Sequence, residues 1–253
     1  MIGTRTLVAL SLIALSAGGQ TKTYRAPRTA DGKPDLQGIW EARTTANFDL
    51  EAHSADLGIR AGDTVIADPP DGKIPYQPDS RAKQEKNFAN RAKEDPVNHC
   101  YLPGVPRITY MPFPFEIFQT PEFVAIAYEY VHASRTIYME AKEQKHPDDI
   151  DFWMGDSRGH FDGDTLVVDV ADNNADTWLD ASGNFHSGAM HVVERYTRTG
   201  PDTMQYQATI EDPKVLTKPF KISIPLYRHT EKNAQLYEYE CHVYLENSGG
   251  STK

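Results

Sequence analysis

Residues 153–197 read WMGDSRGHFDGDTLVVDVADNNADTWLDASGNFHSGAMHVVERYT and carry the clearest fold signal in the chain. Within them, Asp162-Gly163 lies between the short segment 159–161 and the β-branched, apolar run 164–170. Asp-Gly tolerates the positive φ angles that both central residues of a type I′ turn require, and β-branched residues favour strands. We therefore predict a β-hairpin whose turn is centred on Asp162-Gly163.

Segments with a two-residue hydrophobic period recur through the rest of the chain. We predict further strands over residues 123–131, 135–139, 190–198, 203–211, 220–226 and 235–245. Turn residues separate these segments and helical periodicity is almost absent, a pattern typical of all-β proteins. The sequence therefore favours an antiparallel β-barrel or a β-sandwich.

One of these segments, 123–131, has a bulky face and a face of small residues that also carries Glu129. A small face turned inward would leave a cavity inside a barrel. If 123–131 and 135–139 form a hairpin, Glu129 lies where it can pair with Arg135 across it. A buried pair of this kind would mark a candidate site, whereas an exposed pair would contribute little.

The first hundred residues differ in character from the rest. We expect an irregular N-terminal arm over 20–99, with a first strand at Gly38-Ile39-Trp40 and one short, charged helix over 81–93. A Gly-x-Trp in the first strand is typical of lipocalin-like barrels, where the indole closes one end, although a single core tryptophan explains it equally. Residues 100–246 are expected to form one barrel domain, followed by a C-terminal tail, 247–253.

Residues 1–19 have the layout of a secretory signal peptide, with a positive charge, an apolar run and then small residues. The apolar run is too short to span a membrane, so we expect an exported protein, periplasmic or secreted. The net charge of −10 argues against nucleic acid or an anionic membrane as a partner, because both need clustered Lys and Arg. The oligomeric state is left open.

The chain has two cysteines, Cys100 and Cys241. In an oxidising compartment they can close one long loop, and we predict a disulfide between them. Two buried free thiols are the alternative.

Several familiar cofactor and metal motifs are incomplete. Asp172, Asn174 and Asp176 match the first ligand positions of a calcium-binding EF-hand loop, but Thr177 and Gly183 occupy positions that need glycine and a carboxylate. The histidines lack zinc-site spacing, and neither a nucleophile elbow nor a dinucleotide-binding loop is present. We predict no cofactor and no metal.

The remaining candidates suit proton transfer. His186 lies in a Gly-Asn-Phe-His-Ser loop and His191 opens a predicted strand, and imidazole is suited to acid–base work near neutral pH. Such a histidine needs a partner that orients it, and the candidate carboxylates are Glu129, Asp156 and Asp180. The structural alternative is that each histidine only makes hydrogen bonds at the end of a strand.

We predict a pocket for a small apolar or aromatic molecule. Arg107 and Arg135 are candidates to hold an anionic part of it, and Tyr138, Trp153 and Trp178 to contact its apolar part. The leading hypothesis is a cofactor-independent lyase, isomerase or hydrolase with His186 and His191 as acid–base groups. The alternatives are a non-catalytic binding protein of lipocalin type, and a barrel filled by its own side chains.

Six blocks in order along the chain support a family resemblance: DGKPDLQGIW, CYLPGVPR, WMGDSRGHFDGDTLVVDV, GNFHSGAMHVVERYT, IEDPKVLTKP and EYECH. Together they resemble a large family of exported bacterial proteins, common in acidobacteria and proteobacteria. Members typically read Trp-Glu-Gly-Asp-Thr-Leu at the hairpin, where this chain has Phe161-Asp162-Gly163. The resemblance implies export and a β-rich, calycin-like architecture, and it implies no particular reaction.

Overall fold

The computed structural model describes residues 24–56, 58–139, 146 and 150–243. These residues contain one α-helix, α1 (Pro78–Glu94), and two short 3₁₀ turns, Pro96–His99 and Arg107–Tyr110. The strands are β1 (Gly38–Ala42), β2 (Ile66–Asp68), β3 (Phe115–Gln119), β4 (Phe123–Tyr128), β5 (Ser134–Met139), β6 (Asp156–Asp162), β7 (Thr165–Ala171), β8 (His191–Gly200), β9 (Thr203–Glu211) and β10 (Phe220–Arg228).

The strands form a closed barrel, so the prediction of an all-β barrel is confirmed. Nine strands follow one another in the order β1-β3-β4-β5-β6-β7-β8-β9-β10, and β10 pairs with β1 to complete the ring. The short strand β2 adds to β10 beside this ring. Closure leaves the nine barrel strands without a free edge. The neighbours in the ring pair antiparallel except β5 and β6, which are parallel.

The hairpin of β6 and β7 is confirmed, but its turn is shifted by one residue. Asp162 pairs with Thr165, so Gly163 and Asp164 are the two loop residues. Gly163 has φ +60° and Asp164 does not have a positive φ. Glycine at the first loop position is the signature of a type II′ turn, which also matches the strand twist, so the type I′ expectation was wrong.

Alternating side chains of the strands fill the interior of the barrel. On β4 the bulky residues Val124, Ile126 and Tyr128 are buried and face inward. The small-residue face therefore points outward, and the cavity expected from an inward small face is not formed there. Burying large apolar side chains is worth more than burying alanines, which explains the choice of face.

The N-terminal arm contributes strands as well as loops. Besides β1 it supplies β2, and its predicted helix is confirmed as α1 with slightly wider bounds. Pro78 suits the first helical turn because it has no N–H to leave unpaired. Trp40 on β1 is fully buried between Arg198 and Arg228, with its Nε1 donating to Leu36 O at 2.9 Å.

The C-terminal segment differs from expectation. A strand was predicted over 235–245, and the structure describes this segment up to residue 243. In the described part, Tyr239 makes only an isolated bridge with Tyr130, and residues 241–243 form a helical turn. Contacts with the barrel hold this segment instead: Tyr239 stacks on Tyr130 with the ring centroids 5.4 Å apart, and Cys241 forms the predicted disulfide with Cys100, with Cα atoms 5.6 Å apart. The disulfide is thus confirmed.

The predicted signal peptide, 1–19, and the tail, 247–253, lie outside the described residues. Among the helices that are described, none is both long and apolar enough to cross a bilayer.

Candidate functional site

The candidate site lies where β5 and β6 separate. Their parallel pairing is limited to Tyr138 with Arg158 and Met139 with Gly159, so the first residues of both strands are not paired with each other. A cavity of about 660 Å³ lies in this gap, and we call it the seam pocket. Its walls are Leu102, Ser134, Arg135, Thr136, Tyr138, Phe152, Trp153, Met154, Gly155, Asp156, Ser157 and Arg158.

One wall consists of the segment that leads into β6, and a neighbouring loop holds it in place. Phe152 N donates to Asp172 O at 2.8 Å, and Asn174 N donates to Phe152 O at 3.0 Å. Gly155 follows with φ +63°, and a Cβ there would lie 2.6 Å from Val170 Cγ1. Only glycine fits this position, so the close packing of the wall depends on it.

Aromatic rings form the outer part of the pocket. Trp153 stacks on Tyr101 with the ring centroids 5.0 Å apart, and the Arg158 guanidinium lies 5.0 Å from the centroid of the Tyr138 ring. Leu102 lies two residues after Cys100, so the disulfide anchors this side of the pocket to the C-terminal segment. The pocket mouth therefore offers flat apolar surfaces on elements that are held in place.

Arg135 is one of the residues that line the seam pocket, and its side chain is only 2% exposed because it points into the barrel. Its Nε donates to Ser157 Oγ at 2.8 Å and its Nη2 to Glu194 Oε2 at 2.5 Å. The other oxygen of Glu194 accepts hydrogen bonds from the Tyr196 and Tyr206 hydroxyls, at 3.1 and 2.8 Å. Glu194 is fully buried, so this network neutralises a charge that would otherwise be very costly inside the barrel.

Arg135 Nη1 and the Tyr128 hydroxyl are buried and make no hydrogen bond of ordinary geometry to the described residues. The Tyr128 hydroxyl nevertheless lies close enough to Arg135 and Thr109 for both to act on its pKa as hydrogen-bonding neighbours. Burial opposes the charged form of Arg135, but Glu194 outweighs it and raises the pKa of the guanidinium above its usual value. Burial also raises the pKa of Tyr128 to about 12. At neutral pH, Arg135 is thus charged and the Tyr128 hydroxyl keeps its proton.

A second group of polar residues, the outer cluster, lies on the outward faces of β6, β7 and β8. Asp156 accepts from Arg158 Nε at 2.7 Å and contacts His146 Nδ1 at 2.7 Å. His146 Nε2 reaches Asp169 Oδ1 at 3.0 Å, and His191 Nε2 reaches the same oxygen at 2.9 Å. Asp156 belongs to the outer cluster and to the pocket wall.

The outer cluster shifts the titration of two of its members. The hydrogen bond from His191 lowers the pKa of Asp169, and the same bond raises the pKa of His191. This pair therefore favours a protonated His191 beside an ionised Asp169.

The hypothesis that His186 and His191 share a pocket is wrong. His186 is buried, its Nε2 contacts Thr177 Oγ1 at 2.7 Å and its Nδ1 contacts Ser187 O at 2.9 Å. Burial lowers its pKa, which favours the neutral ring. His191 lies on the outer face of β8 and its carboxylate is Asp169, not one of the three expected. Neither histidine lines the seam pocket.

Three further candidates lie elsewhere. Arg107 is buried, and both of its terminal nitrogens donate hydrogen bonds to the Asp95 carboxylate at 2.8 Å, so it stabilises the turn after α1. Glu129 accepts from Tyr237 N at 2.8 Å instead of pairing with Arg135. Trp178 packs against the core away from the pocket walls.

Asp180 is fully buried and organises the loop before β8. It accepts hydrogen bonds from the backbone N–H groups of Leu50, Ser182 and Asn184. Burial raises its pKa well above the usual value. It therefore has a structural role and does not orient a histidine.

Four predicted site residues do meet at the seam pocket: Arg135, Tyr138, Trp153 and Asp156. Glu194 was not among the predicted site residues, although the two-residue period of β8 puts it on the same face as Val192 and Tyr196, the face that is buried. The predicted site residues also did not include His146 and Asp169. The sequence around His146 has no hydrophobic period that would predict a strand or a helix. Asp169 is a single aspartate in an apolar strand, and such a residue does not indicate which side chain it contacts.

In the aspartate-rich loop, the side chain of Asn174 is bonded to the loop backbone. Asn174 Oδ1 accepts from Asp176 N at 2.8 Å, as in an ordinary Asx turn. Within the described residues, no group of three or more His, Cys, Asp or Glu side chains is arranged to hold a metal ion.

Comparisons with known proteins give little further information. No family model matches the chain, and no match is found among curated proteins. Among solved structures, a mutant of the fluorescent protein UnaG is similar at 11% identity, over 47% of this chain and 73% of that chain, with a TM-score of 0.28. A likeness at this level carries no argument, so the barrel assignment rests on the strand pairing described above.

Proposed function

We propose that this protein is an exported small-molecule binding protein whose ligand, a small apolar or aromatic molecule, occupies the seam pocket. The observation that carries the proposal is the gap between β5 and β6, which leaves a cavity of about 660 Å³ with aromatic walls and a few polar groups. Binding sites for small molecules are typically concave and mainly apolar, with a few polar groups that fix orientation.

The disulfide supports the exported location. Disulfides persist in oxidising compartments and are rare in the cytosol, and Cys100 and Cys241 are bonded here. The signal-like residues 1–19 and the family resemblance stay predictions.

The binding proposal is tested with a neutral aromatic probe, 2-naphthalenemethanol, by isothermal titration calorimetry. We expect one saturable site in the wild type. Trp153→Ala removes a stacking surface worth about 0.5–1.5 kcal/mol, so affinity should fall by up to about tenfold. Phe118→Ala is the matched control, because Phe118 is an exposed aromatic residue that does not line the pocket.

Two results would count against the proposal. Absence of saturable binding by 2-naphthalenemethanol is one. Equal affinity of the wild type and the Trp153→Ala variant is the other, since it places the probe elsewhere.

A second candidate function is a cofactor-independent acid–base enzyme, such as a hydrolase. It is favoured by Asp156, which lines the pocket and contacts His146, whose other nitrogen reaches Asp169. A histidine held between two carboxylates is oriented for proton transfer.

Hydrolysis of 2-naphthyl acetate to 2-naphthol and acetate provides the test. If His146 acts as the acid–base group, His146→Ala should slow turnover by about 10²–10⁴-fold without weakening 2-naphthalenemethanol binding. Equal hydrolysis by the wild type and the variant would reject the enzyme and leave the binding protein.

A further inference from the structure

A second cavity lies where the contact between β5 and β6 ends, and we call it the end pocket. Its volume is about 600 Å³, and small-molecule sites usually enclose about 300–1,000 Å³. It shares no wall residue with the seam pocket. The walls come from the N-terminal arm, the turn after β3 and the ends of β5 and β6, and they include Asp31, Lys33, Pro121, Met139, His160 and Phe161.

We infer that the end pocket binds an α-amino acid with an apolar side chain. The carboxylate of the amino acid pairs with Lys33 and its ammonium group with Asp31. Its side chain contacts Met139 and Phe161. The pocket thus provides a partner for each of the three parts of such a molecule.

Part of the wall is apolar. Met139 and Phe161 are partly buried and pack against the hydrophobic core of the barrel. The two strands lie close together here because residue 159, which pairs with Met139, is glycine. A Cβ at this position would lie 3.0 Å from Met139 Sδ and 2.6 Å from Ile137 Cγ2. An apolar side chain that enters the pocket removes apolar surface of Met139 and Phe161 from water, which favours binding.

Lys33 and Asp31 add one positive and one negative charge to the walls. Lys33 Nζ lies 6.0 Å from the centroid of the Phe161 ring, so the ammonium group is located beside the apolar wall. Neither Lys33 nor Asp31 takes part in an ion pair with another described residue. An α-amino acid carries the two complementary charges on one carbon atom and can pair with both residues, whereas a simple carboxylate would leave Asp31 unpaired.

The turn that carries both charges is held by hydrogen bonds. Thr29 N donates to Lys33 O and Gly32 N donates to Thr29 O, each at 2.9 Å. Gly32 has φ +80°, a conformation that glycine adopts without strain. Arg28, just before this turn, pairs with Asp164 in the loop between β6 and β7. Because the turn is held in this way, little backbone freedom is lost when a ligand binds, which favours affinity.

The experiment compares three compounds by isothermal titration calorimetry at neutral pH: L-phenylalanine, 3-phenylpropionate and 2-phenylethylamine. All three share the phenylethyl skeleton, but 3-phenylpropionate lacks the ammonium group and 2-phenylethylamine lacks the carboxylate. We expect the wild type to bind L-phenylalanine at one saturable site. Its affinity should be about three- to tenfold higher than that for either of the other compounds, because each of them loses one partly exposed charge pair.

Two variants test the residue that each charge contacts. Lys33→Met should weaken binding of L-phenylalanine by about three- to tenfold and leave the affinity for 2-phenylethylamine unchanged. Asp31→Asn should weaken L-phenylalanine similarly and leave the affinity for 3-phenylpropionate unchanged. Lys86→Met and Asp202→Asn are the matched controls, because both residues are exposed and neither lines the pocket. They should bind all three compounds as the wild type does.

Circular dichroism checks that each variant is folded. If a variant does not fold, the comparison of the three compounds on the wild type still decides whether both charges are recognised. The Trp153→Ala variant locates the site, since Trp153 lines the seam pocket and not the end pocket. It should bind L-phenylalanine with wild-type affinity.

Three results would overturn the amino-acid site. The first is the absence of saturable binding of L-phenylalanine. The second is equal affinity of the wild type for L-phenylalanine and either of the other compounds. The third is a loss of L-phenylalanine affinity in Trp153→Ala, which would place the compound in the seam pocket. None of these results affects the test of the seam pocket with 2-naphthalenemethanol.

Discussion

At the scale of single residues, two ion pairs of the barrel differ in how deeply they are buried. Inside the barrel, Arg135 and Glu194 form a buried ion pair, and Glu194 raises the pKa of the Arg135 guanidinium, which therefore keeps its charge at neutral pH. Outside, His191 and Asp169 form a half-exposed pair that titrates. The inner pair therefore stabilises the interior of the barrel, and the outer pair responds to pH.

The first prediction concerns the titration of His191. Its hydrogen bond to Asp169 raises its pKa, with smaller support from the charge of Glu211 on β9. We expect its titration midpoint, measured by NMR, to lie above the ordinary value of about 6.5. Asp169→Asn removes the charged acceptor and should lower the midpoint. A wild-type midpoint at or below the ordinary value would contradict the prediction.

The same shift has a consequence for stability. A histidine whose pKa is raised in the folded state stabilises the protein fully below its unfolded pKa, about 6.5, and loses this contribution as pH rises through the folded pKa. The Asp169 contribution is lost only at acid pH, because its pKa is lowered. The His191→Gln variant should therefore have a lower thermal unfolding midpoint than the wild type at about pH 5–6.5. At alkaline pH the midpoints of the two proteins should become similar.

At the scale of elements, the parallel pairing of β5 and β6 decides where the pocket lies. A hydrophobic period identifies a strand and its buried face, but it does not identify the neighbour of that strand. The hairpin of β6 and β7 was predictable because its turn residues link adjacent segments. The separation of β5 from β6 was not, because residues 140–155 lie between these two strands and no short turn links them as it links β6 and β7.

The second prediction concerns the disulfide, which ties the C-terminal segment to the turn before Leu102. Cys100 and Cys241 are 141 residues apart, so the bond closes a long loop in the unfolded chain. Replacing both by serine should lower the free energy of unfolding by about 2–4 kcal/mol. Urea unfolding of the wild type, the double variant and the chemically reduced wild type provides the measurement. The last two should agree, and a variant as stable as the oxidised wild type would show that the bond does not stabilise the fold.

At the scale of the whole molecule, the sequence predicted the class of fold and four of the twelve residues that line the seam pocket. Alternating strands and short turns identified a barrel, because those signals are local. Aromatic and charged residues near the seam, such as Trp153 and Arg135, were recognised from their type and context. The pairing of Arg135 with Glu194 across the interior was not recognised, because these residues are 59 positions apart and meet only when the barrel closes.

The last prediction tests how strongly barrel closure depends on Trp40. This residue lies on β1, which pairs with β10 on one side and β3 on the other, so it is located at the junction that completes the ring. Its indole is fully buried, donates to Leu36 O and packs between Arg198 and Arg228.

Trp40→Ala should lower the free energy of unfolding by about 3–5 kcal/mol, as is usual for a buried tryptophan. Trp153→Ala, which removes a partly exposed indole at the pocket mouth, is the matched control and should cost much less. Guanidinium chloride unfolding followed by circular dichroism measures both. Similar losses in the two variants would mean that closure of the barrel does not depend on the indole of Trp40.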